Sequence, residues 1–142
     1  AIAAALREMA ERVDTSFVLD TLQYMWKGGR CSGVTALGAN LLKLKPCLQM
    51  QDGKLVVGKK YRGPIDKVYR QYVAERFEGK DVLPEHVFIT HSGGVAQETL
   101  DALMQQVQQA VPGCEVFITQ AGCTVSSHCG PGTLGVLFLH RA

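Results

Sequence analysis

The chain has 142 residues, with 15 Lys and Arg against 13 Asp and Glu and a formal net charge of +2. No block of cations occurs and aromatics make up only 7%, so neither a basic stripe nor a base-stacking platform for nucleic acid is present. At 46% apolar residues one core can be buried, yet no apolar run approaches the ~20 residues of a membrane helix.

Ala1 to Val13 predicts a leading helix. Arg7, Glu8, Glu11 and Arg12 interrupt its apolar residues, unlike a signal peptide, which puts positive charge first. The missing initiator Met is read as the mark of a fragment or processed chain. "SFVLD" (16–20) predicts a strand, and Asp20 an N-cap for the helix "TLQYMWKGG", with Leu22, Met25 and Trp26 on one face and Gly28-Gly29 as its stop. Val34, Leu37, Leu41 and Leu44 follow helical spacing up to Pro46. "PCLQMQDGKLVVGKKYRG" predicts a hairpin turning at Asp52-Gly53 in a type I′ turn. After Pro64, a helix carries Ile65, Val68, Tyr69, Tyr72, Val73 and Phe77 on one face.

"HVFIT" (86–90) predicts a strand. A helix over 95–111 aligns Ala96, Leu100, Leu103 and Val107, and "EVFIT" (115–119) is a strand nearly repeating the earlier one. The shared wording reads as common strand composition rather than duplication. Residues 126–132, "SSHCGPG", predict a loop, and "LGVLFL" (134–139) the last strand. The expected fold is α/β in the broad α+β sense, one domain over 1–142, with a mixed, largely antiparallel sheet and helices packed on it. Cys31, Cys47, Cys114, Cys123 and Cys129 are odd in number and form no CxxC, which points to free thiols and a cytoplasmic setting.

Three places join glycine to a cationic or titratable side chain. At Gly28-Gly29-Arg30 a sharp turn can deliver a guanidinium to a carboxylate or phosphate; the plainer alternative is a glycine cap before a solvated arginine. Arg62 stands just before a helix N-terminus, where the dipole does not favour a cation; it suits an outside anion or partner, or only an exposed edge strand. His128 lies among Ser126, Ser127, Gly130 and Gly132, where an imidazole can donate to an oxyanion or bond a nearby carbonyl. His91 in "THSGG" offers the same chemistry or structural duty. His86 and His140 flank strands and carry no motif. Cys123, His128 and Cys129 match no zinc spacing, so no metal is expected. Cys129 with His91 or His128 lacks a nucleophile motif, and "HSGGVAQ" lacks a phosphate-loop lysine.

Taken together, "LDTLQYMWKGGR", "LKLKPCLQMQDGKLVVGKKYRG" and "SSHCGPGTLGVLF" resemble the DegV family over the whole chain. Members are bacterial fatty-acid-binding proteins, and some are the acyl-carrying subunits of a fatty acid kinase. The resemblance implies that this chain is the C-terminal domain plus its leading helix, and that an N-terminal parallel α/β domain with carboxylate-binding hydroxyls belongs to the parent chain. It implies an acyl chain in a tunnel between and into the domains. His128 would face the carboxyl group, Arg30 would line the same region, and Arg62 would contact the kinase subunit. No cofactor is implied beyond the bound fatty acid, since nucleotide and metal would sit on the partner. Two positions depart from the family pattern: Cys31 replaces an aliphatic residue, and "HSGG" lacks an acidic residue, which leaves His91 a secondary candidate.

The leading functional reading is therefore a lipid carrier for a separate kinase, not an enzyme itself and not stably inserted in a membrane. The alternatives are a hydrolase using His128 with a Cys or Ser, and an interaction domain without ligand. An apolar patch near Trp26 and the helix at 33–44 is expected to drive self-association.

Overall fold

The computed structural model describes residues 1–29 and 43–142. In chain order, α1 (Ile2–Glu11) leads into β1 (Val13–Val18) and α2 (Gln23–Lys27). The hairpin follows as β2 (Leu44–Gln51) and β3 (Lys54–Arg62), then α3 (Ile65–Phe77), β4 (Val87–His91), α4 (Gln97–Ala110), β5 (Val116–Gln120), α5 (Cys123–Cys129) and β6 (Leu134–Leu139). The strands form one sheet in the order β3-β2-β1-β6-β4-β5. Among the described residues, β4 and β5 run parallel, joined through α4, and the other pairings are antiparallel. The mixed, largely antiparallel sheet expected from the sequence is thus present.

Local chemistry sets several elements. Asp52 and Gly53 have φ of 50° and 72°, the left-handed pair that a type I′ turn requires. The repeated "VFIT" segments lie side by side, with Val87 opposite Val116, Phe88 opposite Phe117, Ile89 opposite Ile118 and Thr90 opposite Thr119. Identical neighbours thereby line adjacent parallel strands, and the two threonine hydroxyls bond at 2.7 Å.

Strand alternation divides the sheet into two faces. One carries Val18, Cys47, Val87, Ile89, Leu134, Val136 and Phe138, and it is covered by α3 and α4 through Val68, Tyr69, Tyr72, Val73, Phe77, Leu100, Leu103 and Val107. The opposite face carries a smaller cluster, Leu19, Met25, Leu48 and Cys129, with Phe17, Leu22 and Val57 against it. Here α2 and α5 supply the cover.

The structure corrects four local expectations. α1 ends at Glu11 and β1 begins at Val13, because residues 13–18 all find partners on β6. Asp20 does not cap α2; Leu22 holds that position, and Asp20 instead takes an ion pair from Lys45 at 2.5 Å. The helix expected at 33–44 lies mostly outside the described residues, but Leu44, Lys45 and Pro46 belong to β2, not to a helix end. Pro46 fits there because the β2–β3 register shifts between Pro46 and Leu48, an irregularity that tolerates a missing N–H. Residues 123–129 form α5 rather than loop. Ser and Thr are indifferent helix formers, and burial of Cys129 together with packing on α2 outweighs propensity.

Far from the glycine-rich loop, Asp14 gathers Arg76 from α3, Lys80 just beyond that helix and His140 after β6. Lys80 Nζ lies 2.8 Å and His140 Nε2 3.1 Å from its carboxylate. Burial alone would raise the Asp14 pKa, but the Lys80 hydrogen bond and the Arg76, Lys80 and His140 charges outweigh it and hold the carboxyl below its ordinary value. The folded-state pKa is lower than the unfolded one. This contribution to stability is therefore present above roughly pH 4 and is lost as pH falls through the folded pKa. Asp14→Asn is expected to cost roughly 2–3 kcal/mol in urea unfolding at neutral pH, somewhat less than breaking a fully buried pair. It should also flatten the acid limb of the stability profile; an unchanged acid limb would show that Asp14 is not the group being titrated.

Candidate functional site

Register places the candidate residues at one end of the sheet. Val18, at the end of β1, faces both Cys47 near the start of β2 and Leu134 at the start of β6. Arg62, the last residue of β3, faces Leu44, while His91, the last of β4, faces Leu134 and Gln120. The carboxyl ends of the parallel strands open at this end, the usual place for a crevice in sheets with parallel strands.

His128 occupies the last turn of α5, half-buried. Its imidazole packs against Gly28, where a Cβ would lie 2.9 Å from Nδ1. Gly28 has φ −80°, so the glycine is needed for room rather than for backbone conformation. α5 ends at Gly130, φ 78°, and the Tyr24 ring fills the space that a side chain at 130 would occupy. α2 and α5 therefore meet through two glycines, each receiving an aromatic ring from the other helix.

The turn after His128 is tightly bonded. Tyr69 Oη donates to the Gly132 carbonyl at 2.5 Å. Ser92 Oγ donates to the Gly130 carbonyl at 2.5 Å and accepts from the Thr133 N–H at 3.2 Å. Thr133 Oγ1 donates to the carbonyls of Cys129 and Gly130, both at 3.1 Å. Gly132 N–H donates to the Gly93 carbonyl at 2.9 Å. Burial pushes the Tyr69 phenol well above its ordinary pKa, so it remains a neutral donor.

His91 accepts the Gly93 N–H on Nδ1 at 3.1 Å, which puts its own proton on Nε2 in the neutral ring. Arg62 is exposed at the outer edge, three strands from β6, or about 14 Å at ordinary strand spacing. Arg30 lies outside the described residues. The site as described thus joins His128 to Gly28, Tyr24 and the Ser92–Gly94 segment, with Arg62 apart from them.

A Cys or Ser nucleophile beside His128 finds no support. Cys129 is buried and its thiol is pushed up by burial, which disfavours the thiolate. The Ser126 hydroxyl donates to the Ala121 carbonyl at 3.2 Å. Among the described residues, no group of three His, Cys, Asp or Glu could hold a metal ion.

The sheet face shared with α2 and α5 exposes apolar side chains toward the end away from the glycine-rich turn. Phe88, Val13, Leu55 and Met50 lie on it by alternation and are 36–49% exposed. Trp26, on α2, is 71% exposed. Sequence reasoning did not single out Ser92 or Lys45, and it read Tyr69 only as part of an apolar helix face and Asp20 only as a helix cap. Tyr24 stood within a motif, and only its contact with Gly130 shows its part.

A family model described as an uncharacterised protein of the DegV family matches residues 1–141. A DegV domain-containing protein of Streptomyces coelicolor is 30% identical over 140 residues, covering 96% of this chain and 48% of that protein. A DegV family protein from Thermus thermophilus, whose structure is described for its fatty acid binding, superposes with a TM-score of 0.76 at 27% identity, over 99% of this chain and 50% of that one. The Fak B3 protein of Streptococcus pneumoniae's fatty acid kinase, solved with linoleic acid, has a TM-score of 0.81 over 99% of this chain and 49% of its own. At 17% identity that likeness speaks for the fold alone. The chain spans about half the length of the curated relatives it matches.

The two adjacent glycines should separate position from strain. Gly28→Ala puts a Cβ against the imidazole and should displace His128, seen as loss of the nuclear Overhauser contact between its ring and residue 28. Gly29→Ala meets open space but requires φ +67°, and should cost about 1 kcal/mol in urea unfolding while leaving that contact in place. The reverse pattern would refute the packing of His128 on Gly28.

Proposed function

The chain belongs to the DegV family, and from that premise we propose that it is the C-terminal part of a protein that binds a long-chain fatty acid. In this reading His128 holds the carboxylate near the surface. The observation that carries it is the imidazole's place at the open end of a sheet whose face under α2 and α5 leaves apolar side chains exposed. A fatty acid needs that combination: a donor for its head and unwetted surface for its tail, at roughly 0.8 kcal/mol per enclosed CH₂. The described fatty acid binding of the Thermus thermophilus relative agrees with it.

The remaining assignments follow from the same reading. Arg30, by its resemblance to the family's glycine-glycine-arginine motif, is assigned to the carboxylate end. His91, engaged with Gly93, helps shape the loop and is a secondary contact. An N-terminal domain of the parent chain covers the apolar sheet face and completes the acyl tunnel. Exposed, that face and Trp26 favour self-association. Arg62, exposed at the end of the outer strand β3, serves the surface that meets a separate kinase subunit. The protein is a cytoplasmic carrier without a cofactor of its own, and phosphoryl transfer is the partner's chemistry.

Oleate titration and phosphorylation rate, measured together on the full-length protein with its kinase, test these roles. His128→Ala should keep the fold and weaken oleate binding tenfold or more, since a hydrogen bond to a charged group contributes about 1.5–3 kcal/mol. Arg62→Ala should retain lipid but slow the kinase-dependent step, as a rim charge that guides a partner does. A pocket emptied by Arg62→Ala, with lipid and rate intact in His128→Ala, would reject the assignment.

A further inference from the structure

We propose that Ser92 is the positioning residue for His128. The proposal rests on the reading of His128 as the carboxylate contact, but its structural content can be tested separately. The Ser92 hydroxyl bridges the turn that follows His128: it donates to the Gly130 carbonyl at 2.5 Å and accepts the Thr133 N–H at 3.2 Å. One side chain thereby spans both ends of Gly130-Pro131-Gly132.

The backbone on either side reinforces this bridge. Ser92 N–H donates to the Thr133 carbonyl at 3.0 Å, and Gly132 N–H donates to the Gly93 carbonyl at 2.9 Å. Gly94 lies under Pro131, where a Cβ would come within 3.3 Å of the proline Cβ. The "SGG" segment thus runs along the turn as a continuation of the β4–β6 ladder, with little room for a side chain at Gly94. These contacts meet the carbonyl end of α5. The Gly130 carbonyl belongs to the residue that ends the helix, two positions after His128. Holding that carbonyl fixes where α5 stops and so which way its last turn presents the imidazole. His91, the residue before Ser92, secures the same segment by accepting the Gly93 N–H.

Removal of the hydroxyl should loosen the turn without unmaking it, because Thr133 Oγ1 still donates to the Gly130 carbonyl. The experiment uses the full-length protein with ¹⁵N-labelled histidine. It follows the His128 imidazole cross-peaks through a pH titration, together with oleate affinity, in Ser92→Ala and Ser92→Thr. Ser92→Ala should displace the cross-peaks, alter the titration curve and weaken oleate binding about tenfold, the effect of one lost hydrogen bond. Ser92→Thr keeps the hydroxyl and should recover all three. Thr133→Val, which removes the second anchor of the same carbonyl, should act in the same direction and guards against a threonine that does not fit at 92. Cross-peaks of Ser92→Ala and Thr133→Val that superimpose on the wild type overturn the proposal. Displaced cross-peaks with unchanged oleate affinity uphold the positioning and count against the fatty-acid reading instead.

Discussion

Tyr72 sets its hydroxyl into the seam between β1 and β6. It lies 2.7 Å from Ser16 Oγ, donates to the Ser16 carbonyl at 2.8 Å and accepts the Val136 N–H at 3.0 Å. Ser16 and Val136 are register partners, so a helix side chain takes part in the central ladder. The site is fully buried, and a backbone group left unpaired there would cost about 1–3 kcal/mol. α3 consequently cannot slide on the sheet without breaking these bonds. Three residues earlier, and so on the same side of the helix, Tyr69 holds the Gly132 carbonyl. The spacing of two tyrosines on one helix thereby ties the turn after His128 to the register of the sheet.

What the sequence made legible was whatever local chemistry decides. The Asp52-Gly53 turn, the apolar faces of α3 and α4 and the β-branched strands each follow from neighbours a few residues away, and each stands where periodicity puts it. α5 was hidden because its residues have little helical preference; it is held by Tyr24 against Gly130 and by His128 against Gly28, contacts between segments about a hundred positions apart in the chain. Pro46 misled for the opposite reason. Proline punctuates a helix in the sequence, but a register shift gives it a place within β2. Of the site, the glycines and the histidine could be read, since motifs carry them. Ser92 and Tyr69 could not, because their importance lies in which distant carbonyl each one reaches.

The two ends of the sheet are held by different forces. Around Asp14 the contacts are ionic, three cationic or titratable groups converging on one carboxylate. Around the turn after His128 they are hydroxyl-to-carbonyl and backbone bonds, between groups that carry no charge at ordinary pH. Protonation of Asp14 therefore loosens the end away from the candidate site, while the turn after His128 is held by neutral bonds.

Electrostatics at the His128 end also bear on what can approach it. Asp20 borders the turn: a Cβ on Gly132 would meet its side chain at 3.0 Å. An uncompensated carboxylate there would repel an anionic ligand head. Lys45 answers it directly, bonding both the Asp20 side chain at 2.5 Å and its backbone carbonyl at 2.8 Å. The pair offsets the Asp20 charge beside the turn. The same ion pair ties the end of β1 to the start of β2, which explains why the residue expected to cap a helix is engaged across the sheet instead.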